Sequence, residues 1–357
     1  MKKYNFFAGP AILPQQVLRE ASEAALDYNG MGLSILEISH RSKEIVSVFE
    51  EARQLIYKLL AIDREKYDVL FLTGGASSQF FMVPMNILSP HETAGYVDTG
   101  SWSTKAIKEA KLYGNVEVLA SSKDKNFSYI PKGYAIPSHL KYLHLTSNNT
   151  IFGTQYQEWP ETEVPLIADM SSDIFSKRIP VDRFDLIYAG AQKNLGPAGV
   201  TLVIIKRDII GKVDRELTSM LNYKTHVVKD SMFNTPPVFP AFVSMLTLRW
   251  LDRNGGIEAM EKRNEEKASL LYNEIDRNSL FYGTTAKEDR SLMNVCFLMH
   301  NNELESTFLE MCTEAGCVGV KGHRSVGGFR ASIYNAMEKE GVETLVSVMQ
   351  NFEEQYG

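Results

Sequence analysis

Three cysteines in 357 residues, Cys296, Cys312 and Cys317, are few, odd in number and without metal-ligand spacing. They read as small apolar fillers in a reducing compartment rather than as a disulfide framework. The chain also lacks any run of the ~20 apolar residues needed to span a bilayer. Its opening stretch, Met1 to Pro10, carries two lysines but no adequate apolar core, so no secretory signal is expected there. A cytoplasmic protein is the expectation, and the Asn-X-Ser/Thr matches at Asn126 and Asn148 are then chance. Runs of Lys and Arg are missing and the net charge is −6, which argues against nucleic acid as the main partner. Internal repeats and low-complexity segments are missing too.

What is present is material for a core. Hydrophobic residues make up 44% of the chain and charged ones 23%, so a folded protein of two domains is expected at this length. Periodicity predicts helices over Gln15 to Tyr28 and Ser42 to Leu60. Short apolar runs then alternate with helical patterns, at Val69–Leu72, Gly95–Val97, Tyr142–Leu145, Leu166–Ala168, Leu186–Tyr188 and Val200–Ile205. Continuous rather than alternating apolar strands indicate a mainly parallel sheet covered on both faces, an α/β fold. After Trp250 the character changes. Asn254-Gly-Gly breaks a helix, a charged amphipathic helix follows to Arg277, and strands near 293–299 and 328–333 mix with helices in a smaller α+β unit.

Ligands of open α/β sheets bind beyond the carboxyl ends of the strands, and three features fall there. Thr73-Gly-Gly-Ala-Ser-Ser78 follows the Val69 strand and precedes an apolar helix expected over Phe80 to Leu88. Such a turn offers backbone N–H groups to a phosphate, although Gly-Gly turns before helices are common. Trp102 opens the next helix, where it is either a half-buried surface residue or a flat ring for a flat ligand. Asp169 ends the Leu166 strand. As an ordinary N-cap it would need nothing, but an acid between Ala168 and Met170 has to be paired. Lys193 lies just past the Leu186 strand, in the small-residue turn Ala189-Gly-Ala-Gln-Lys193-Asn-Leu-Gly. A strand-end lysine commonly snorkels to water. Preceded by a strand-end acid, it instead fits a pyridoxal phosphate site, with the lysine as Schiff-base amine and the acid on the pyridinium nitrogen. Two His-Arg pairs, His40-Arg41 and His323-Arg324, and Arg330 are solvated basic turns in the plainer reading. As a set of guanidinium forks they suit a substrate with more than one anionic group.

Read together, these motifs resemble the phosphoserine aminotransferases, fold-type-I pyridoxal phosphate enzymes of class V, over essentially the whole length. The matching stretches are Asn5–Pro10, Glu37–Ser42, Phe71–Ser77, Gly100–Ser103, Asn148–Thr154, Ala168–Ser172, Gly190–Pro197, Met232–Pro237 and Gly322–Met337. The resemblance implies a large cofactor domain over 16–255 with a mainly parallel seven-stranded-type sheet, and a smaller α+β domain over 256–357. The segment 1–15 would pack with the small domain and the active site. It implies pyridoxal 5'-phosphate on Lys193, with Asp169 on the ring nitrogen, Trp102 stacked on the ring and Thr150 on the ring hydroxyl. Ala76, Ser77 and Gln192 would hold the phosphate, joined by Asn234 and Thr235 from the partner of a homodimer with shared sites. His40, Arg41, His323, Arg324 and Arg330 would bind substrate. The implied reaction moves an amino group reversibly from L-glutamate to 3-phosphohydroxypyruvate, giving O-phospho-L-serine and 2-oxoglutarate in serine biosynthesis. Activity on the phosphorylated hydroxythreonine of pyridoxine synthesis is implied as well. The chain departs from some members in having Ala76-Ser77-Ser78, not Arg, after the Gly-Gly pair, which removes one anion contact. A desulfurase or lyase on the same fold would need a reactive cysteine on a mobile loop, and none of the three cysteines fits. A non-catalytic cofactor-binding protein is the remaining rival.

Overall fold

The structure, a computed structural model, describes residues 2–357. A short strand β1 (Tyr4–Asn5) precedes helices α1 (Gln15–Leu26) and α2 (Lys43–Leu59). Strands and helices then alternate as β2 (Tyr67–Leu72), α3 (Gly75–Ile87), β3 (Thr93–Asp98), α4 (Ser101–Ala110) and β4 (Asn115–Ser121). Next come β5 (Leu143–Thr146), β6 (Leu166–Asp169), β7 (Leu186–Gly190) and β8 (Thr201–Lys206). Helices α5 (Tyr223–Val228), α6 (Val238–Arg253) and α7 (Gly256–Arg277) follow. The chain ends in β9 (Phe281–Gly283), β10 (Asn294–Met299), α8 (Glu305–Glu314), β11 (Cys317–Val318), β12 (Phe329–Ser332) and α9 (Lys339–Tyr356). Among the described residues no helix is long and apolar enough to cross a membrane.

Seven strands form one sheet in the order β2-β8-β7-β6-β5-β3-β4. Its apolar runs are buried on both faces because successive side chains alternate between two cores. Val69, Phe71, Ile187 and Leu202 pack with Ile45 and Phe49 of α2 and Leu246 of α6. Leu70, Leu72, Leu186 and Val203 pack instead with Phe80 and Val83 of α3 and Ile107 of α4. The expectation of a covered sheet is met, with two differences. β8 is antiparallel to both β7 and β2. Only residues 191–200 join β7 to β8, too few for a helical crossover, so the chain must return antiparallel. The edge strand β4 was not foreseen, since it lacks a continuous apolar run and none of its residues is fully buried.

The remaining strands belong to the C-terminal part. β12-β10-β9 is antiparallel, and β11 pairs in parallel with β1. The N-terminal segment is thus tied to the C-terminal part, and Phe6 is buried in the same core as Phe281, Phe308, Phe329 and Phe352. Ser42 caps α2 by accepting from the Ile45 N–H at 3.3 Å, a contact worth ~1 kcal/mol.

Candidate active site

The carboxyl ends of β2, β3, β5, β6 and β7 open into one cavity of about 450 Å³. Its wall includes Ala76, Ser77, Trp102, Thr150, Asp169, Gln192, Lys193, His323 and Arg330, nine of the residues singled out from the sequence. His40, Arg41, Arg324, Asn234 and Thr235 are not part of that wall. Arg41, Arg324 and Thr235 are exposed, while His40 and Asn234 are half-buried. Asn234 lines a smaller neighbouring cavity with Thr73 and Gly74, behind the same turn.

The phosphate-type cradle is tighter than the sequence suggested, because α3 begins at Gly75 and not near Phe80. Ala76 and Ser77 therefore sit in its first turn, where helix geometry leaves the N–H groups without an intrahelical partner. Among the described residues no side chain caps this end. Gly74 makes the turn possible at φ +98°, and a Cβ there would lie 2.5 Å from the Ser78 hydroxyl. An uncapped N-terminus on the cavity wall suits an anion.

Trp102 is held by a second turn. Its indole Nε1 donates to Thr150 Oγ1 at 3.0 Å, which leaves the threonine hydroxyl proton free for another acceptor. Asn149 joins the two turns by donating to Thr99 O at 2.6 Å and accepting from Ile151 N at 2.9 Å. Gly100 is required at this approach, since a Cβ would fall 2.0 Å from Asn149 Nδ2.

Asp169 is buried and accepts from Ser171 N at 2.9 Å. Burial pushes its carboxyl up, opposed by the Ser171 hydrogen bonds and by Lys193. A cationic N–H facing it from the cavity would restore the ionised form. The Lys193 amine lies 5.9 Å from the Trp102 ring centroid. Desolvation lowers its pKa to about 8, against the pull of Asp169 and Asp173 and aided by Arg330. An amine whose pKa is lowered toward neutrality by desolvation is more readily available as a nucleophile and a base. This donor set fits pyridoxal phosphate: a flat ring over Trp102, a ring nitrogen on Asp169, an anion on α3 and a carbonyl carbon at Lys193.

The cationic side of the cavity is Arg330 and His323. Arg330 donates from Nη1 to Thr150 O at 2.8 Å, and its buried Nε has no hydrogen-bond partner among the described residues. A fork held at one end with a free donor suits a carboxylate. His323 Nδ1 accepts from Ser325 N at 3.2 Å, so the ring proton resides on Nε2. Burial and the charges of Arg330, Arg324 and Lys105 lower its pKa.

Several residues of the site were not singled out from the sequence. Ser171 ties Asp169 to β7 by accepting from Gly190 N at 3.0 Å, and its spacing two residues past Asp169 was a readable turn signal. Lys105 stands 4.4 Å over the Trp102 ring, a contact the i,i+3 helical spacing could have revealed. Asn148 bonds Ser172 Oγ and Asn294 Oδ1, each at 2.8 Å, and its burial also removes it as a glycosylation acceptor. Only the folded chain shows that link between its two parts.

Known proteins place this architecture. The model of the aminotransferase class-V family matches residues 3–345. A phosphoserine aminotransferase of Parabacteroides distasonis is 58% identical over 100% of both chains. One from Bacteroides thetaiotaomicron is 56% identical over 99% of both. Among solved structures, phosphoserine aminotransferase from Bacillus circulans subsp. alkalophilus superposes with a TM-score of 0.97 at 46% identity, covering 100% of this chain and 99% of that one. A PLP-bound phosphoserine aminotransferase from Trichomonas vaginalis gives 0.93 at 34% identity, with 98% and 100% covered.

Proposed function

Since the chain belongs to the phosphoserine aminotransferases of the class-V aminotransferase family, we propose that it moves the amino group of L-glutamate to 3-phosphohydroxypyruvate, reversibly, through the cavity around Lys193. The desolvated Lys193 amine beside Trp102 and the buried Asp169 is the observation that carries this reading. Pyridoxal phosphate, when bound, supplies an electron sink for charge that develops at the substrate's α-carbon. Lys193 would hold its carbonyl carbon and Asp169 its ring nitrogen. Trp102 would cover the ring and Thr150 would donate to the ring hydroxyl. Ala76, Ser77 and Gln192 would hold its phosphate.

The protein's own groups then divide the work. Nζ of Lys193, once released, takes the proton from the substrate's α-carbon, a role for which a pKa near neutrality is suited. Arg330 binds the α-carboxylate with its free donors. His323 donates from Nε2 to the distal anion. The cations outside the wall, Arg324, His40 and Arg41, complete that distal site. Asn234 and Thr235 reach the phosphate from the partner of a cytoplasmic homodimer. Residues 16–255 form the cofactor domain, 256–357 the small domain, and 1–15 a segment that packs with the small domain and the active site.

Amino transfer is favoured over cysteine-dependent lyase chemistry, because burial pushes the thiols of Cys296 and Cys317 up to about 12 and 11 and raises Cys312 as well. The purified protein is expected to be yellow, and borohydride should fix the cofactor covalently. Peptide mapping should then find the adduct on Lys193. A label on any other lysine sinks this reading.

A further inference from the structure

Lys267, midway along α7, is 3% exposed and makes no ion pair among the described residues. Its ammonium donates instead to three backbone carbonyls of one turn, Ile333 O at 2.9 Å, Tyr334 O at 2.8 Å and Met337 O at 3.1 Å. Burial, with Arg263 on the same helix, pushes its pKa down to about 7. Methionine or leucine would fill this space without burying an ammonium but would take this donor from the three carbonyls, so the lysine is here to hold that turn.

The turn it grips is where parts of the site meet. Asn335 N donates to Asn194 Oδ1 at 3.0 Å, on the residue after Lys193, and Asn335 Nδ2 donates to Phe175 O at 2.9 Å. Asn264, also on α7, donates to Asn335 Oδ1 at 2.9 Å and to Ser176 O at 3.0 Å. The Tyr334 hydroxyl donates to Ala8 O at 2.7 Å, and Ala8 lines the cavity. The turn also begins directly after β12, the strand that carries Arg330.

We propose that Lys267 is a positioning residue, whose clamp on the Ile333–Met337 turn sets the Lys193 amine through Asn194 and the Arg330 fork through β12. The inference rests on Lys193 being the cofactor lysine. It predicts that loosening the turn rehydrates the Lys193 amine and misplaces Arg330.

The full chain, stripped of cofactor, is labelled with trinitrobenzenesulfonate across pH, and the label on Lys193 is followed by peptide mapping. The wild-type midpoint is expected near the lowered value of about 8. In Lys267→Met the midpoint should rise by about one unit or more, and kcat/KM for glutamate in the holoenzyme should fall ~10–100-fold. Asn194→Ala removes the oxygen that accepts the Asn335 N–H but leaves the clamp, so it decides the matter if Lys267→Met does not fold. It should shift the midpoint in the same direction. The double variant should be no worse than the worse single one, because both act through one turn. A Lys193 midpoint unmoved in both folded variants, or losses that add in the double variant, overturns the proposal. An unmoved midpoint with the borohydride adduct still on Lys193 sinks only the role of Lys267, whereas an adduct elsewhere sinks the functional reading itself.

Discussion

Lys193 and Asp169 stand at the ends of adjacent strands of one sheet, whereas Arg41, Arg324 and Thr235 sit exposed on turns outside the cavity. The first group is held by short backbone and side-chain hydrogen bonds and lies in desolvated surroundings. The second group has solvent around it, and its side chains make no hydrogen bond or ion pair among the described residues. The contrast separates two tasks. Groups that do chemistry need a shifted pKa and a fixed position, which a buried sheet edge provides. Groups that recognise distal anions need reach and charge, which loops and a second subunit can provide. Arg330 belongs to both worlds, with one donor committed to Thr150 O and its Nε without a partner among the described residues.

The sharpest way to break the comparison is to empty the floor of the cavity. Lys193→Ala should keep the cofactor through the α3 cradle yet lose ~10²–10⁴-fold or more in kcat, the usual worth of a positioned acid–base group. Near-normal turnover in a stopped-flow half-reaction with glutamate would show that the floor is not where the chemistry sits. The rim should respond selectively. Arg330→Ala is expected to cost ~10–100-fold in kcat/KM with every amino donor and acceptor, as loss of a charge-assisted hydrogen bond does. Arg324→Ala should harm phosphohydroxypyruvate and glutamate to a similar degree while sparing alanine, which has no distal anion. Equal losses on alanine in both variants would erase the distinction between floor and rim.

The smallest effect is thermodynamic. The folded pKa of Lys193, about 8, lies below its ordinary value of 10.5, so the unfolded chain binds more protons between those values. Stability of the cofactor-free protein from this group should therefore rise with pH across that window, by at most ~1.4 kcal/mol per pH unit. Urea midpoints measured near pH 8 and pH 10 should diverge less for Lys193→Ala than for wild type. Equal pH slopes in the two proteins would mean that the amine is not desolvated.

How much was legible in advance follows from the range of the forces involved. The covered strands, the turn carrying Lys193 and the acid ending β6 were readable, because burial periodicity and turn composition are local. β4 was not, since an edge strand needs no apolar face and pairs through its backbone. Nor was the true start of α3 at Gly75, five residues before the first large apolar side chain at Phe80. Small residues carry little periodic signal even where the backbone is already helical. Lys267 would have been read as one more cation on a charged helix, and only its partners 66 to 70 residues away show it to be a buried clamp.

The amino-acid sequence by itself determined the alternation of strand and helix, the two-sided burial of the sheet and the strand-end placement of Asp169 and Lys193. These depend on backbone preference and on side-chain pattern over a few residues. Tertiary structure alone decided that β8 would also pair with β2, that Trp102 would bond Thr150 and that the Lys193 amine would lose its water. It also decided which cations would face the cavity and which would not. Strand pairing and desolvation are set by whatever packs against a group from far along the chain, and no local pattern records that.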